Sequence, residues 1–210
     1  MGVIRDRRVE NAVWFRGRFA ANRSPALAFG RALWLGWGMK LEPALESDVP
    51  AIVDRVNIAF RGKGDHQSWN VEHSIEGRRI DELSIRDDVE EELVFLFIHR
   101  EAEGGLPIAT VRLEPVGGGL WHLGMLSVSP QWQAQQAGRR IMETSEAFIR
   151  DRGGRRVRMS VVNARDSLIA WSQRRGYRIT GETMPLPCED QRFGRPLRDD
   201  LDFVMLENTL

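Results

Sequence analysis

The chain is poor in several residues, and each scarcity narrows what it can be. Of its 30 basic residues only Lys40 and Lys63 are lysines, a bias that genomic base composition produces as readily as function. There is one cysteine, Cys188. It excludes an internal disulfide framework, cannot alone build a thiolate metal site, and fits a reducing, cytoplasmic compartment. The four histidines, His66, His73, His99 and His122, show no metal-ligand spacing, so no metal is expected. A net charge of zero gives no overall electrostatic reason to expect a nucleic acid or an anionic membrane as partner. No apolar run reaches the length that spans a bilayer, and there is neither an internal repeat nor a low-complexity tract.

What is present reads as one globular domain: 210 residues, 42% hydrophobic and 29% charged, enough to bury a sizeable core. Charge is uneven along it. Residues 1–38 carry seven arginines against Asp6 and Glu10, a net +5, which leaves −5 for the rest. Three readings of this arginine-rich extension stand: an amphipathic segment packed on the domain, a targeting arm, or translation from an upstream start with Met39 as the functional beginning. The domain itself is placed at 39–210, because "MKLEPALESDVPAIV" opens like a first strand and a first helix.

From Met39 the hydrophobic pattern alternates. Val49, Ile52, Val53 and Val56 recur at helical spacing after Ser47 and Asp48, either of which can cap. "FRGKGDHQSW" is loop-like, and "VEHSIEGRRIDELSIRDDVEEE" reads as one or two short helices. Strand patterns over 93–99, 107–115 and 120–129 are joined by "EAEGG" and "VGGG", links short enough for hairpins, so an antiparallel meander is expected. A helical stripe (Ala137, Ile141, Ser145, Phe148, Ile149) then ends at Gly153 and Gly154, and "RVRMSVV" (156–162) alternates as a strand. Strand, helix and strand at this length imply a parallel pair. A short helix over 166–175, a strand in "YRITGE", a proline-bearing loop over 183–199 and a last strand over 200–208 complete the α/β pattern.

The stretch "SPQWQAQQAGRRIM" (129–142) delivers glutamines and arginines to the head of the long helix, where unpaired backbone N–H groups favour an anion. On these residues alone, a phosphate cradle and a solvated basic helix read equally well.

The strand "LGMLSV" followed by this stretch resembles the acyl-CoA-binding segment of the GNAT acetyltransferases. That family carries Gln/Arg-x-x-Gly-x-Gly/Ala, and its backbone N–H groups hold the pyrophosphate of coenzyme A. Gln133, Ala134, Gln135, Gln136, Ala137 and Gly138 take the six places, so Gln136 stands where the first glycine is usual, and Arg139 and Arg140 follow with positive charge. "NARDSLIAWSQRRGYRITGE" is similar to the next GNAT segment: Asn163 matches the asparagine that bonds the pantetheine arm, and Gly176–Tyr177 matches its Gly-Phe pair. The longer "LIAW-x-x-RRGY-x-x-TGE-x-x-P-x-P" resembles one bacterial-type subgroup, and the likeness runs over about 39–210.

The resemblance implies a GNAT fold, with a mixed, mostly antiparallel sheet flanked by helices and splayed where 120–129 and 156–162 part. It implies acetyl-CoA as co-substrate, held by the backbone of Leu126, Ser127 and Val128, by the hexad and Arg139, and by Asn163. It implies direct attack by a primary amine of a small molecule or peptide, in a monomer or homodimer. The tyrosine that commonly acts as general acid is replaced by Ser172, too short and too weakly acidic to substitute directly, so a slower enzyme is expected. His122, six residues before Val128, is the candidate base, and strand alternation puts it with Gly124, Leu126 and Val128 on one face. A histidine satisfied within the structure reads as well. Glu72 and Glu114 are further carboxylates that could face the acceptor. Arg61 falls in the 61–80 segment which, with the 183–200 loop, is expected to shape its pocket. A catalytically impaired CoA-binding or partner-binding module on the same fold is the rival, favoured by Gln136 and Ser172 together.

Overall fold

The computed structural model describes residues 33–35, 39–62, 71–133, 135–186 and 194–210. Strand β1 (Leu33–Leu35) pairs antiparallel with β2 (Met39–Pro43). The rest of the N-terminal extension, Lys63–Asn70, Ala134 and Pro187–Phe193 lie outside the described residues. A 3-10 turn at Glu46–Asp48 leads into α1 (Val49–Arg61), whose apolar stripe buries Val49, Ile52, Val56, Ala59 and Phe60. Asp48 sits at the helix start but does not cap it. Its carboxylate accepts from the Leu45 N–H at 3.0 Å and from Arg100 at 2.6 Å, and Arg100 also donates to Glu42. The acid thus fastens the helix start to a strand instead of closing the helix's own first turn.

The expected meander forms from β4 (Phe95–Arg100), β5 (Pro107–Gly117) and β6 (Leu120–Val128). After a single turn, α3 (Pro130–Gln133), helix α4 (Ala137–Asp151) crosses over to β7 (Arg156–Val162). Helix α5 (Asp166–Gln173), β8 (Arg178–Pro185) and β10 (Asp202–Thr209) finish the main fold. The sheet order is β1-β2-β4-β5-β6-β7-β10-β8, and among the described strands only β6 and β7 run parallel. Between α1 and β4 the expected helical stretch yields one helix, α2 (Glu82–Glu90), and a short strand, β3 (Ile75–Glu76), which pairs with β9 (Arg195–Pro196). That pairing joins segments over a hundred residues apart, so local periodicity carried no trace of it.

Among the described residues two larger buried clusters build the core, with a smaller one at Ile75, Val162, Leu186 and Leu201. One joins α4 and Tyr177 to Phe97, Ala109, Val111, Leu113, Trp121, Leu123, Val157 and Met159; the other joins α1 and Ile85 to Leu96 and Ile98. Gly154 enables the first. A Cβ there would lie 2.2 Å from Ile149 Cγ2 and 2.8 Å from the Trp121 indole, so only glycine lets the end of α4 meet the sheet so closely.

Register decides which way the end of β6 faces. Across β5 and β6, Arg112 faces Gly124 and Thr110 faces Ser127, so β6 spends one residue more than its partner. Met125 takes φ +51° within that bulge, a conformation costing a non-glycine residue about 1–2 kcal/mol. The bulge overturns the simple alternation. Met125 packs with the α1 core, whereas Leu126 and Val128 pack with Trp121 and Leu123 in the α4 core. His122 and Gly124 therefore do not share a face with Leu126 and Val128.

Candidate active site

The parallel pairing of β6 with β7 runs only through Leu120↔Arg156, Trp121↔Val157 and His122↔Arg158. Beyond His122 the strands part, and among the described residues the β6 backbone from Leu123 to Val128 has no ladder partner on that side. An unpaired strand edge presents rows of donors and acceptors to whatever enters. Ser127 is fixed from behind, its hydroxyl 2.6 Å from that of Thr110.

The C-terminal end of this edge meets the head of α4. Gln133 Nε2 donates to the Val128 carbonyl at 2.9 Å, so its side chain ties the loop to the strand. Gln136 takes φ +58°, the left-handed conformation that glycine adopts without cost. It is exposed, and Arg140 N–H donates to its carbonyl. The preceding N–H groups of Ala137, Gly138 and Arg139 begin the helix and have no intrahelical acceptor. A Cβ on Gly138 would meet Trp171 at 3.7 Å and Val128 at 3.9 Å in ordinary contact, so the first turn of α4 lies against the Trp171 ring. Arg139 itself pairs with Glu143 at 2.8 Å along the exposed helix surface.

Across the opening, Asn163 follows β7. Its Nδ2 donates to the Asp200 carbonyl at 2.8 Å, and its Oδ1 is buried with no hydrogen-bond partner among the described residues. A buried acceptor of this kind is costly unless a ligand or water fills it. Ser172 lies elsewhere: it is fully buried, and its hydroxyl donates to the Leu168 carbonyl at 2.9 Å. It faces its own helix, so the proton-donor role asked of that position finds no support in the geometry.

His122 stands where β6 and β7 separate, its Nε2 3.2 Å from Ser160 Oγ. A Cβ on Gly124 would lie 3.0 Å from His122 Cε1, so the space that glycine leaves is taken by the imidazole and not by substrate. Burial, then Arg112 and Arg158, lower its pKa to about 3. At neutral pH the ring is uncharged and a weak base, a correction to the general-base reading.

The carboxylates fall into two groups. Glu114 is directly across the ladder from His122 and pairs with Arg112 at 2.7 Å; Arg112 also holds Asp88 of α2 at 2.8 Å. Glu72 is buried and pairs with both Arg61 and Arg165. Glu72 and Arg165 line a cleft of about 80 Å³ that also includes His73, Ser74, Val162 and Ala164, at the end of β7. Arg61 and Glu72 are thus brought together, with Arg165 as a partner that sequence reading missed; nothing in the spacing of residues 72 and 165 signals it. Among the described residues no group of three or more His, Cys, Asp or Glu could hold a metal, and no helix is long and apolar enough to cross a membrane. Ala134 lies outside the described residues.

Three features suit an acyl-CoA: a strand edge unpaired among the described residues, the open helix head, and the buried Asn163 Oδ1 acceptor at the end of β7. The family model described as "Acetyltransferase (GNAT) family" matches residues 59–177. Among solved structures, the fold is shared with a probable GNAT acetyltransferase from Chromobacterium violaceum (17% identity, TM-score 0.61, 90% of this chain and 94% of that one). It is shared with the ribosomal-protein-alanine N-acetyltransferase of Brucella melitensis (18%, 0.58, 81% and 99%). A third, the PaiA N-acetyltransferase of Thermoplasma acidophilum, was solved in complex with coenzyme A (12%, 0.59, 82% and 99%). Among curated proteins none matches.

Proposed function

The chain belongs to the acetyltransferase (GNAT) family, and we propose that it is an N-acetyltransferase carrying an acetyl group from acetyl-CoA to a primary amine by direct attack in a ternary complex. The observation that carries this reading is the parting of β6 from β7 directly beyond His122 and Arg158, beside the head of α4. The co-substrate's thioester supplies an activated acetyl group. In this reading the backbone of Leu126 and Val128 and the Asn163 side chain hold the pantetheine arm, while the N–H groups of Ala137, Gly138 and Arg139 face the pyrophosphate. The Leu126 N–H polarises the thioester carbonyl and favours charge developing on its oxygen.

His122 and Ser160 then act as neutral, hydrogen-bonded walls of the opening. The amine attacks in its uncharged form, having lost its proton to solvent. No protein acid is assigned to the departing sulfur: a thiol of pKa about 8.5 leaves as thiolate near neutral pH, and forgoing a general acid slows turnover by about 10²- to 10⁴-fold. The acceptor is read by the cleft that Glu72 and Arg165 line, with Arg61 paired to Glu72, and by Glu114. Burial of Ser172 favours one rival, an impaired CoA-binding module. Calorimetric titration with CoA and thiol release from acetyl-CoA across a panel of small-molecule and peptide amines separate the two. Turnover with any amine supports the enzyme; CoA binding without turnover supports the module; no CoA binding sinks both.

A further inference from the structure

We propose that Arg175, laid on the Trp171 indole beside the first turn of α4, is a phosphate-binding residue for the nucleotide end of coenzyme A. The role rests on the acetyltransferase reading above. Trp171 is a wall of the helix head, because its six-membered ring approaches the vacant Cβ position of Gly138 to 3.7 Å. The Arg175 guanidinium lies 3.6 Å from the centroid of that indole, and its Nη1 donates to the Trp171 carbonyl at 2.7 Å. Stacking and the hydrogen bond together hold the fork in one orientation.

Its remaining donors are not used up by this arrangement. Among the described residues Nε is buried with no hydrogen-bond partner, and a buried donor calls for an acceptor. Around it the charges are mostly alike: burial first, then Arg174 and Arg139, lower the Arg175 pKa, with Glu143 as the opposing influence. Gathering guanidinium groups at the positive end of a helix dipole is unfavourable without an anion and favourable with one. Capping the C-terminal end of α5 explains the Nη1 bond. It does not explain the orphaned Nε or the crowding with Arg139 across from another helix.

The arrangement also answers the departure at Gln136. A side chain in the glycine's place limits backbone approach to a phosphate; a preset guanidinium reaches out to it instead, and can engage two oxygens at once.

The test compares dissociation constants for CoA and 3′-dephospho-CoA, at low and high salt, in the wild type, Arg175→Gln and Arg175→Lys, with thermal midpoints measured alongside. The glutamine variant should bind CoA about 10- to 100-fold more weakly with a shallower salt dependence, the loss of one charge-assisted contact. The lysine variant, safe for folding, should recover only part, since an ammonium neither stacks nor forks. If the Gln penalty disappears with dephospho-CoA, the contact is to the 3′-phosphate; if it persists, to the pyrophosphate; either supports the proposal. Unchanged CoA affinity in both variants, with at most a lowered midpoint, overturns it and leaves Arg175 a helix cap. Failure of the wild type to bind CoA overturns the acetyltransferase reading itself, a result no Arg175 variant is needed to see.

Discussion

Replacing His122 by Gln asks whether the imidazole moves protons. With its pKa lowered to about 3, taking a proton from an alkylammonium of pKa near 10.4 is uphill by about 7 units, or roughly 10 kcal/mol. An ordinary imidazole would face about 5 kcal/mol. A true general base contributes about 10²- to 10⁴-fold, whereas a neutral wall residue that bonds Ser160 can be replaced by an amide at less than about 10-fold cost. The assay is kcat/KM for the amine from pH 6 to 9. It should rise about tenfold per pH unit in both proteins, tracking the free amine. An inflection between pH 6 and 7 in the wild type that vanishes in His122→Gln, with a loss above 100-fold, would refute the reasoning. Stability gives an independent reading. Because the folded pKa lies below the unfolded value near 6.5, the unfolded chain binds the extra proton first. The contribution is complete above pH 6.5 and is lost as pH falls toward 3. Between pH 6.5 and 4.5 the wild type should lose about 2–3 kcal/mol that His122→Gln keeps, measured by urea unfolding.

Gly154→Ala places a methyl within 2.2 Å of Ile149 and 2.8 Å of Trp121, and differential scanning calorimetry should find Tm lowered by roughly 6–12 °C. Gln136→Gly removes left-handed strain of about 1–2 kcal/mol but returns about half of it as chain entropy, so Tm should rise by about 2 °C. Titration should then find CoA bound at least as tightly. Ser172→Tyr forces a phenol into a fully buried site: expect a loss of about 1–3 kcal/mol in urea unfolding and no gain in thiol release. A faster enzyme would show that the side chain can reach the sulfur after all.

Much of this architecture was legible because it is local. The β4–β5–β6 meander, the α4 crossover and β7 over 156–162 follow from period and turn residues within a few positions of each other. The splayed sheet and the open helix head were legible through the likeness of two segments to a known family. What escaped depends on register or on distant partners. Nothing in "LGMLSV" announces that Met125 is extra; the count shows only against β5, where Arg112 and Thr110 bracket a single residue. The face assigned to His122 was wrong beyond that point for this reason alone. Ser172 was placed correctly in its helix but not on its inner side, since burial depends on what packs against α5. Trp171 and Arg175 sit four apart, a spacing that brings side chains together on a helix. That spacing could have flagged the stack, although the proximity of Gly138 could not be read from it.

The bulge at Met125 makes the bend of the strand a property of how many residues it contains, not of which ones. Substitutions that tolerate a positive φ leave it in place. Deleting Met125 would pair Leu126 with Val111 in a continuous ladder, leave Leu126 on the face it already takes and give a better-paired but straighter strand. Selection for stability alone would reward that deletion, and selection for the bend forbids it. Descent should therefore leave this strand free to vary in its letters while holding its length.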